Sequence, residues 1–194
     1  MRLINIARRR RNSSAVNPRR VIIVGPSGSG KTTVGALVSD ALGCSLISMD
    51  DFRSRGVGRT KYFTQHNGEK IRNYEHPDLW DGLAITHKLR AFIRDGLGFV
   101  AEGNHLLHYP GIAELAQHWE IVYLAVDHAT SVVRRKTRHR YSPADESFIR
   151  NGALQTALWV EPQKFLPRVR IIDGTFALDV IASLILRHEA HVVA

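Results

Sequence analysis

Disulfides, membrane spans and metal-ligand spacings are what this sequence does without. Its one cysteine, Cys44, excludes an internal disulfide and suits a reducing compartment. No apolar run approaches the roughly 18 residues of a membrane-spanning helix, and no signal-peptide core follows the first residues. The expectation is a cytoplasmic chain, with organelle targeting through the arginine-rich start as the minor alternative. Ten histidines form no zinc spacing, no nucleophile-elbow motif offers a Ser/His/Asp start, and repeats and low-complexity tracts are missing. Acidic residues are missing from positions 1–20, which hold seven arginines; beyond them 20 basic residues face 18 acidic ones. Setting aside five more bases between 134 and 140 leaves 15 against 18. The formal charge of +9 therefore belongs to one tail and one cluster, which argues against nucleic acid as the partner.

What is present begins with Val21 to Thr33, VIIVGPSGSGKTT. Gly25, Gly30, Lys31 and Thr32 satisfy G-x-x-x-x-G-K-[ST], and the apolar run before them supplies the strand that this motif follows. Its glycines let backbone N–H groups wrap a phosphate, and the helix that starts behind them adds a partial positive charge. Gly25, Ser27, Gly28, Ser29, Gly30, Lys31, Thr32 and Thr33 are the expected nucleotide-binding residues. Lys31 is expected on the β- and γ-phosphates and Thr32 on Mg2+.

The remaining pattern alternates strands with helices. Strands are expected at 21–24, 45–48, 97–101, 120–126 and 169–173, and helices at 34–42, from 77 to about 95, 110–118, 130–141, 143–160 and 175–189. In the last helix Phe176, Val180, Ile181, Leu184 and Ile185 are expected to point inward. The segment 52–75 shows no sustained period. Such an order implies an α/β, three-layer P-loop NTPase fold of the nucleoside/nucleotide kinase type, with a five-stranded, mostly parallel sheet. The domain is expected over 21–194, after a basic tail at 1–20, with a small basic helical lid at about 129–160.

Ligands of such a sheet bind at the carboxyl ends of its strands, where this chain places the glycine loop, Asp50-Asp51, Glu102 and Asp127. Phosphoryl transfer needs a phosphate cradle, a held metal, a group that orients the attacking oxygen, and cations over the developing charge. Glu102 is the candidate metal group beside Thr32. Either Asp50 or Asp51 would receive the hydroxyl proton. Arg134 and Arg138, four apart on one helix face, are candidate catalytic cations and Arg135 a nucleotide contact, unless the cluster is simply a solvated face. Tyr62, Phe63, Tyr74 and Trp80 either stack on a planar ring or pack the long segment onto the core.

GPSGSGKTT, CSLISMDDF, NYEHPDLWD, VAEG and RRKTRHRY, in that order, resemble the uridine kinase, nicotinamide riboside kinase and phosphoribulokinase group of P-loop kinases. The resemblance implies an ATP- and Mg2+-dependent kinase acting on a hydroxyl of a small nucleoside-like or sugar-like acceptor. It implies Asp50 as base, Glu102 as Mg2+ ligand, lid roles for Arg134, Arg135 and Arg138, and an acceptor site with Glu75 ahead of His76. Asp51, Tyr62 and Tyr74 complete the expected acceptor contacts. One departure bears on substrate: the hairpin that holds the uracil base in uridine kinases has no counterpart between residues 94 and 98. The alternative is a nucleotide-binding regulatory protein of the same fold with little turnover.

Overall fold

The computed structural model describes residues 18–53, 63–66, 69–73, 76–137 and 143–187. β1 (Arg20–Val24) is buried at every position from Val21 onward. Ile22 and Val24 face one core and Val21 and Ile23 the other, so the unbroken apolar run reflects a strand covered on both sides. α1 (Lys31–Leu42) lays Val34 and Val38 on the second core. It stops at Gly43, whose φ of 61° is left-handed and whose N–H reaches the Asp40 carbonyl.

β2 (Ser45–Ser48) runs into a 3-10 turn at Met49–Phe52, and the Ser48 hydroxyl accepts the Asp50 N–H that opens it. Within the aperiodic stretch lies an antiparallel pair, β3 (Phe63–His66) and β4 (Glu69–Arg72). The Asn67-Gly68 dipeptide between them is the sequence signal for such a hairpin. The helix expected from residue 77 is divided. Pro77–Leu79 is a 3-10 turn, Trp80 is extended and bridges Arg53, and α2 (Gly82–Arg94) starts only after Asp81, whose carboxylate accepts the Ala84 N–H. Leu83 consequently falls in an outward first turn and is exposed.

β5 (Phe99–Glu102) is buried throughout. Residues 95–98 alone join it to α2, as the spacing predicts. α3 (Pro110–Leu115) lies between two 3-10 turns and leads to β6 (Glu120–Ala125). α4 (His128–Lys136) begins at Asp127, which caps it by accepting the Thr130 N–H at 2.6 Å. α5 (Pro143–Gln155) continues through a π turn at Thr156–Val160 into a 3-10 turn. β7 (Val169–Asp173) and α6 (Leu178–Leu186) end the described chain.

The main sheet has the order β2-β5-β1-β6-β7 with every pair parallel. α1 and α6 cover one face, and α2 and α3 the other, which is the three-layer, five-stranded α/β arrangement expected. In α6 the inward residues are Ile181, Ala182 and Ile185, while Val180 and Leu184 are exposed, contrary to expectation, as is Phe176, which precedes the helix. Contact with α1 uses a narrow stripe, so the helix's second apolar row lies outside it.

At the opposite end of the sheet from the glycine loop, Glu120 receives Arg19 at 2.6 Å and Arg170 at 2.7 Å. The same guanidiniums donate to the Ile185, Leu186 and Leu184 carbonyls at the end of α6. Arg19 and Arg20 thus belong to the domain, while residues 1–17 lie outside the described ones. Glu120→Ala should lower stability by about 1–3 kcal/mol, because two part-buried guanidiniums lose their carboxylate. Urea denaturation read by circular dichroism measures the loss.

Candidate active site

The site is built on the abrupt turn that ends β1. Gly25 has a φ of 146°, and a Cβ there would stand 2.5 Å from the Leu124 carbonyl oxygen of β6, so only glycine allows the chain to leave the strand this way. Gly30, at φ 93°, turns the backbone into α1. No side chain caps that helix and no acid lies in its first turn, which leaves its positive end open to an anion. Lys31 is almost completely buried, and its ammonium donates to the Pro26 carbonyl at 2.9 Å and reaches Ser29 Oγ at 3.5 Å. Thr32 and Thr33 are exposed on the first turn beside it.

Strand register brings the first carboxylate in. Glu102 pairs with Ile23 of β1 and with Ser48 of β2, so it sits one strand away from the loop. It is 3% exposed, its stem lies over Gly35 of α1, and its Oε1 accepts the Ser48 hydroxyl at 2.5 Å. Among the described residues it has no cationic partner, and a buried carboxylate in that condition calls for a cation. With the Thr32 hydroxyl on the neighbouring helix turn, the donor set is all oxygen, as Mg2+ requires.

Asp50 is exposed at the mouth of the site, and its Oδ1 accepts the Trp80 indole N–H at 3.3 Å. Trp80 is therefore a core residue that orients the aspartate: its ring is buried and stands edge-on to His105 at 5.0 Å. Asp51 lies on the exposed side of the same turn. Asp127 takes no part in this edge, being occupied with the α4 cap, where the Thr130 N–H holds its carboxyl below the usual range.

The basic helix meets the loop directly. Arg134 donates to the carbonyls of Gly28, at 3.2 Å, and Gly174, at 2.9 Å. Arg135 donates to Ser27 Oγ at 2.6 Å and lies 4.3 Å from the centre of the buried Phe148 ring of α5. The cluster is thus no solvated face at these two positions. Arg138, Tyr62, Tyr74 and Glu75 lie outside the described residues, as does the Phe63 side chain. His76 is present, half-buried with its ring 5.4 Å from Trp159; burial lowers its pKa, followed by an opposing effect of Asp78 and a further lowering by His108.

Neutral polar residues that sequence reasoning did not single out tie the neighbouring segments together. Gln155 Oε1 accepts from Asn73 and from the Trp159 indole. Gln163 donates to the carbonyls of Asn104, Trp159 and Val160 and accepts the Leu107 N–H. A π turn at 156–160 is the geometric signature of a constrained wall, but nothing in the local pattern announces it.

His105 is fully enclosed, and its pKa is lowered to about 3, first by burial and then by Lys31, His108 and His76. Between pH 6.5 and about 3 the unfolded chain binds a proton that the folded chain refuses, so stability falls as pH falls through this window. The loss from pH 7 to 5 should be about 2 kcal/mol from this one group. His105→Phe should lack it, and denaturant melts of both proteins across that range give the difference.

The AAA domain family profile matches residues 21–158. Shikimate kinase of Streptomyces avermitilis is 54% identical over 117 residues, 59% of this chain and 63% of that protein. Human threonine synthase-like 1 is 28% identical over 125 residues, 63% of this chain but only 16% of its own length, so the chain spans a small part of that relative. Among solved structures, a gluconokinase from Sinorhizobium meliloti 1021 superposes with a TM-score of 0.61 at 20% identity, over 86% of this chain and 89% of that one. Two of these three are named as kinases of small hydroxyl-bearing molecules. They support the coarser resemblance to P-loop small-molecule kinases, and they point to a family related to the uridine kinase group rather than to that group itself. With the glycine loop, four of the five sheet strands and the helices from α1 to α5 within the match, the chain belongs to the AAA domain family and has a P-loop kinase fold.

Proposed function

We propose that this chain phosphorylates a hydroxyl of a small, sugar-like acceptor, with ATP as donor and Mg2+ as cofactor. The enzyme class is a kinase with an alcohol acceptor, and the observation that carries the reading is the buried Glu102 carboxylate beside an uncapped helix start. It supplies the metal half of a nucleotide site whose phosphate half is the glycine loop.

The loop amides and Lys31 hold the β- and γ-phosphates, which requires the Lys31 ammonium to leave the Pro26 carbonyl. Thr32 and Glu102 hold Mg2+, and Ser48 fixes the rotamer of Glu102 through its short hydrogen bond. Bound there, Mg2+ would supply positive charge to offset that of the phosphates. Asp50, oriented by Trp80, aligns the acceptor hydroxyl and takes its proton as the phosphoryl group transfers. Arg135 joins loop and lid at Ser27. Arg134 reaches the transferring charge only by exchanging the Gly28 and Gly174 carbonyls for phosphate oxygens.

Two features favour a sugar-like acceptor over a pyrimidine nucleoside. Residues 95–98 leave no room for a base-holding hairpin between α2 and β5. Relatives and fold neighbours are named as shikimate kinase and gluconokinase, whose namesake substrates carry several hydroxyls and no base.

Lys31→Ala should lower kcat/KM by about 100-fold or more through lost charge stabilisation. Asp50→Asn should lower kcat by about 100-fold or more and leave nucleotide affinity unchanged. A coupled ADP-release assay over a panel of polyols, sugar acids and ribosides, with nucleotide binding by calorimetry, tests both; an Asp50→Asn enzyme at full rate removes that aspartate from the mechanism. Glu102→Gln should raise the Mg2+ concentration for half-maximal rate about tenfold or more, read by Mg2+ titration of the same assay.

A further inference from the structure

The layer of helices that covers one face of the sheet stops short of β7. Val169 packs on the core beneath α2 and α3, so strand alternation puts Ile171 on the same face, where it is 55% exposed. Ile121 lies opposite Val169, and beside it a groove of about 590 Å³ opens between α3 and residues 166–168. Leu107, Ile121 and Leu166 give the groove an apolar floor, while Glu114, Gln117 and Arg168 line it from exposed positions at the rim. Immediately ahead of its wall stands Phe165, 84% exposed, more than any other large apolar side chain among the described residues. Single exposed apolar residues are ordinary, but an exposed ring, a bare strand residue and an apolar groove at one corner make a patch of the kind that binds another surface.

The turn that forms the rim points the same way. Its Leu166 carbonyl accepts the Val169 N–H at 3.4 Å, and its third residue, Arg168, has a φ of 67°, where glycine is the usual occupant. Arginine at that position strains the backbone and sets a cation on the rim, its guanidinium reaching the Gln117 carbonyl at 2.9 Å. Glu114 of α3 sets a carboxylate on the same rim. No buried polar side chain lines the groove, so a small polar ligand would find nothing to orient it. An apolar floor inside a charged rim is instead the anatomy of a protein interface. What fits this face is present on the face itself: Phe165 is a knob beside a hole, and Arg168 and Glu114 are opposite in sign. A surface with both pairs is complementary to a copy of itself turned about a twofold axis.

We propose that this face is the interface of a homodimer, with Phe165 of each subunit seated in the partner's groove and Arg168 of each facing the partner's Glu114.

Sedimentation equilibrium of the full chain over a concentration series measures the dimer Kd, with circular dichroism to confirm that each variant folds. The wild-type chain should form a dimer at micromolar concentration. Phe165→Ser removes a side chain that is exposed in the single chain and should weaken the dimer by about tenfold or more. Glu114→Arg and Arg168→Glu should each weaken it by about tenfold or more, because like charges then face each other. Both changes together should recover most of the loss, since every pair across the axis is restored with its sign reversed. A chain that stays monomeric to the highest concentration overturns the interface and gives the groove to a partner of another kind. A dimer that Phe165→Ser and both charge reversals leave equally tight forms through another face and overturns it too. A double variant no tighter than the single ones overturns the pairing of Arg168 with the partner's Glu114 and, with it, the twofold arrangement. Sedimentation reads mass and not turnover, so each of these results leaves the kinase reading as it stands.

Discussion

The Leu124 carbonyl standing where a Cβ on Gly25 would lie is the constraint on which the site depends. β1 is buried on both faces, so its backbone must remain hydrogen-bonded to β5 and β6 until the last residue, and then turn at once. Only a residue without a side chain passes beneath β6 at that point. The turn then aims the start of α1 back at the end of the strand, and the loop amides, Lys31 and Thr32 follow from that direction. Glu102 follows from the same registration, because its place on β5 is set by pairing with Ile23.

Around this rigid centre the charges are arranged in two different ways. At the far end of the sheet, Glu120 is matched by Arg19 and Arg170, and the three hold α6 to the domain. At the active edge the carboxylate of Glu102 has a hydroxyl and no matching cation among the described residues, while Lys31 rests on a carbonyl. A protein optimised only for stability would pair a carboxylate such as Glu102; a bound metal ion would do so. That contrast within one sheet separates the structural end from the chemical one more clearly than exposure does.

Strands, the glycine loop, Asp50 and Glu102 were legible in the sequence because each depends on a local pattern: an apolar run, a fixed spacing, an acid at a strand's end. Tertiary contacts decided what was not. The 77–94 helix reads as continuous until Trp80 is seen bridging Arg53 and turning its indole to Asp50. Phe176, Val180 and Leu184 fit a helical stripe in sequence, but α6 starts only after Phe176 and meets α1 through the adjacent stripe. Gln155 and Gln163 have no signature at all, since a buried neutral side chain gains its role from partners far off in the sequence, as Gln163 does from Leu107, 56 residues away. The β3–β4 pair is different. Asn67-Gly68 announces it, and the surrounding polar sequence obscured the announcement.

Gln163 also determines how the cleft responds to its surroundings. Its amide fastens the loop after β5 to the π turn through four bonds, and no member of that clamp titrates or carries charge. Salt therefore has little purchase on that clamp, whereas the guanidiniums of Arg134 and Arg135 at the glycine loop carry charge that salt screens. Ionic strength can thus act on the glycine loop without loosening the clamp beside it.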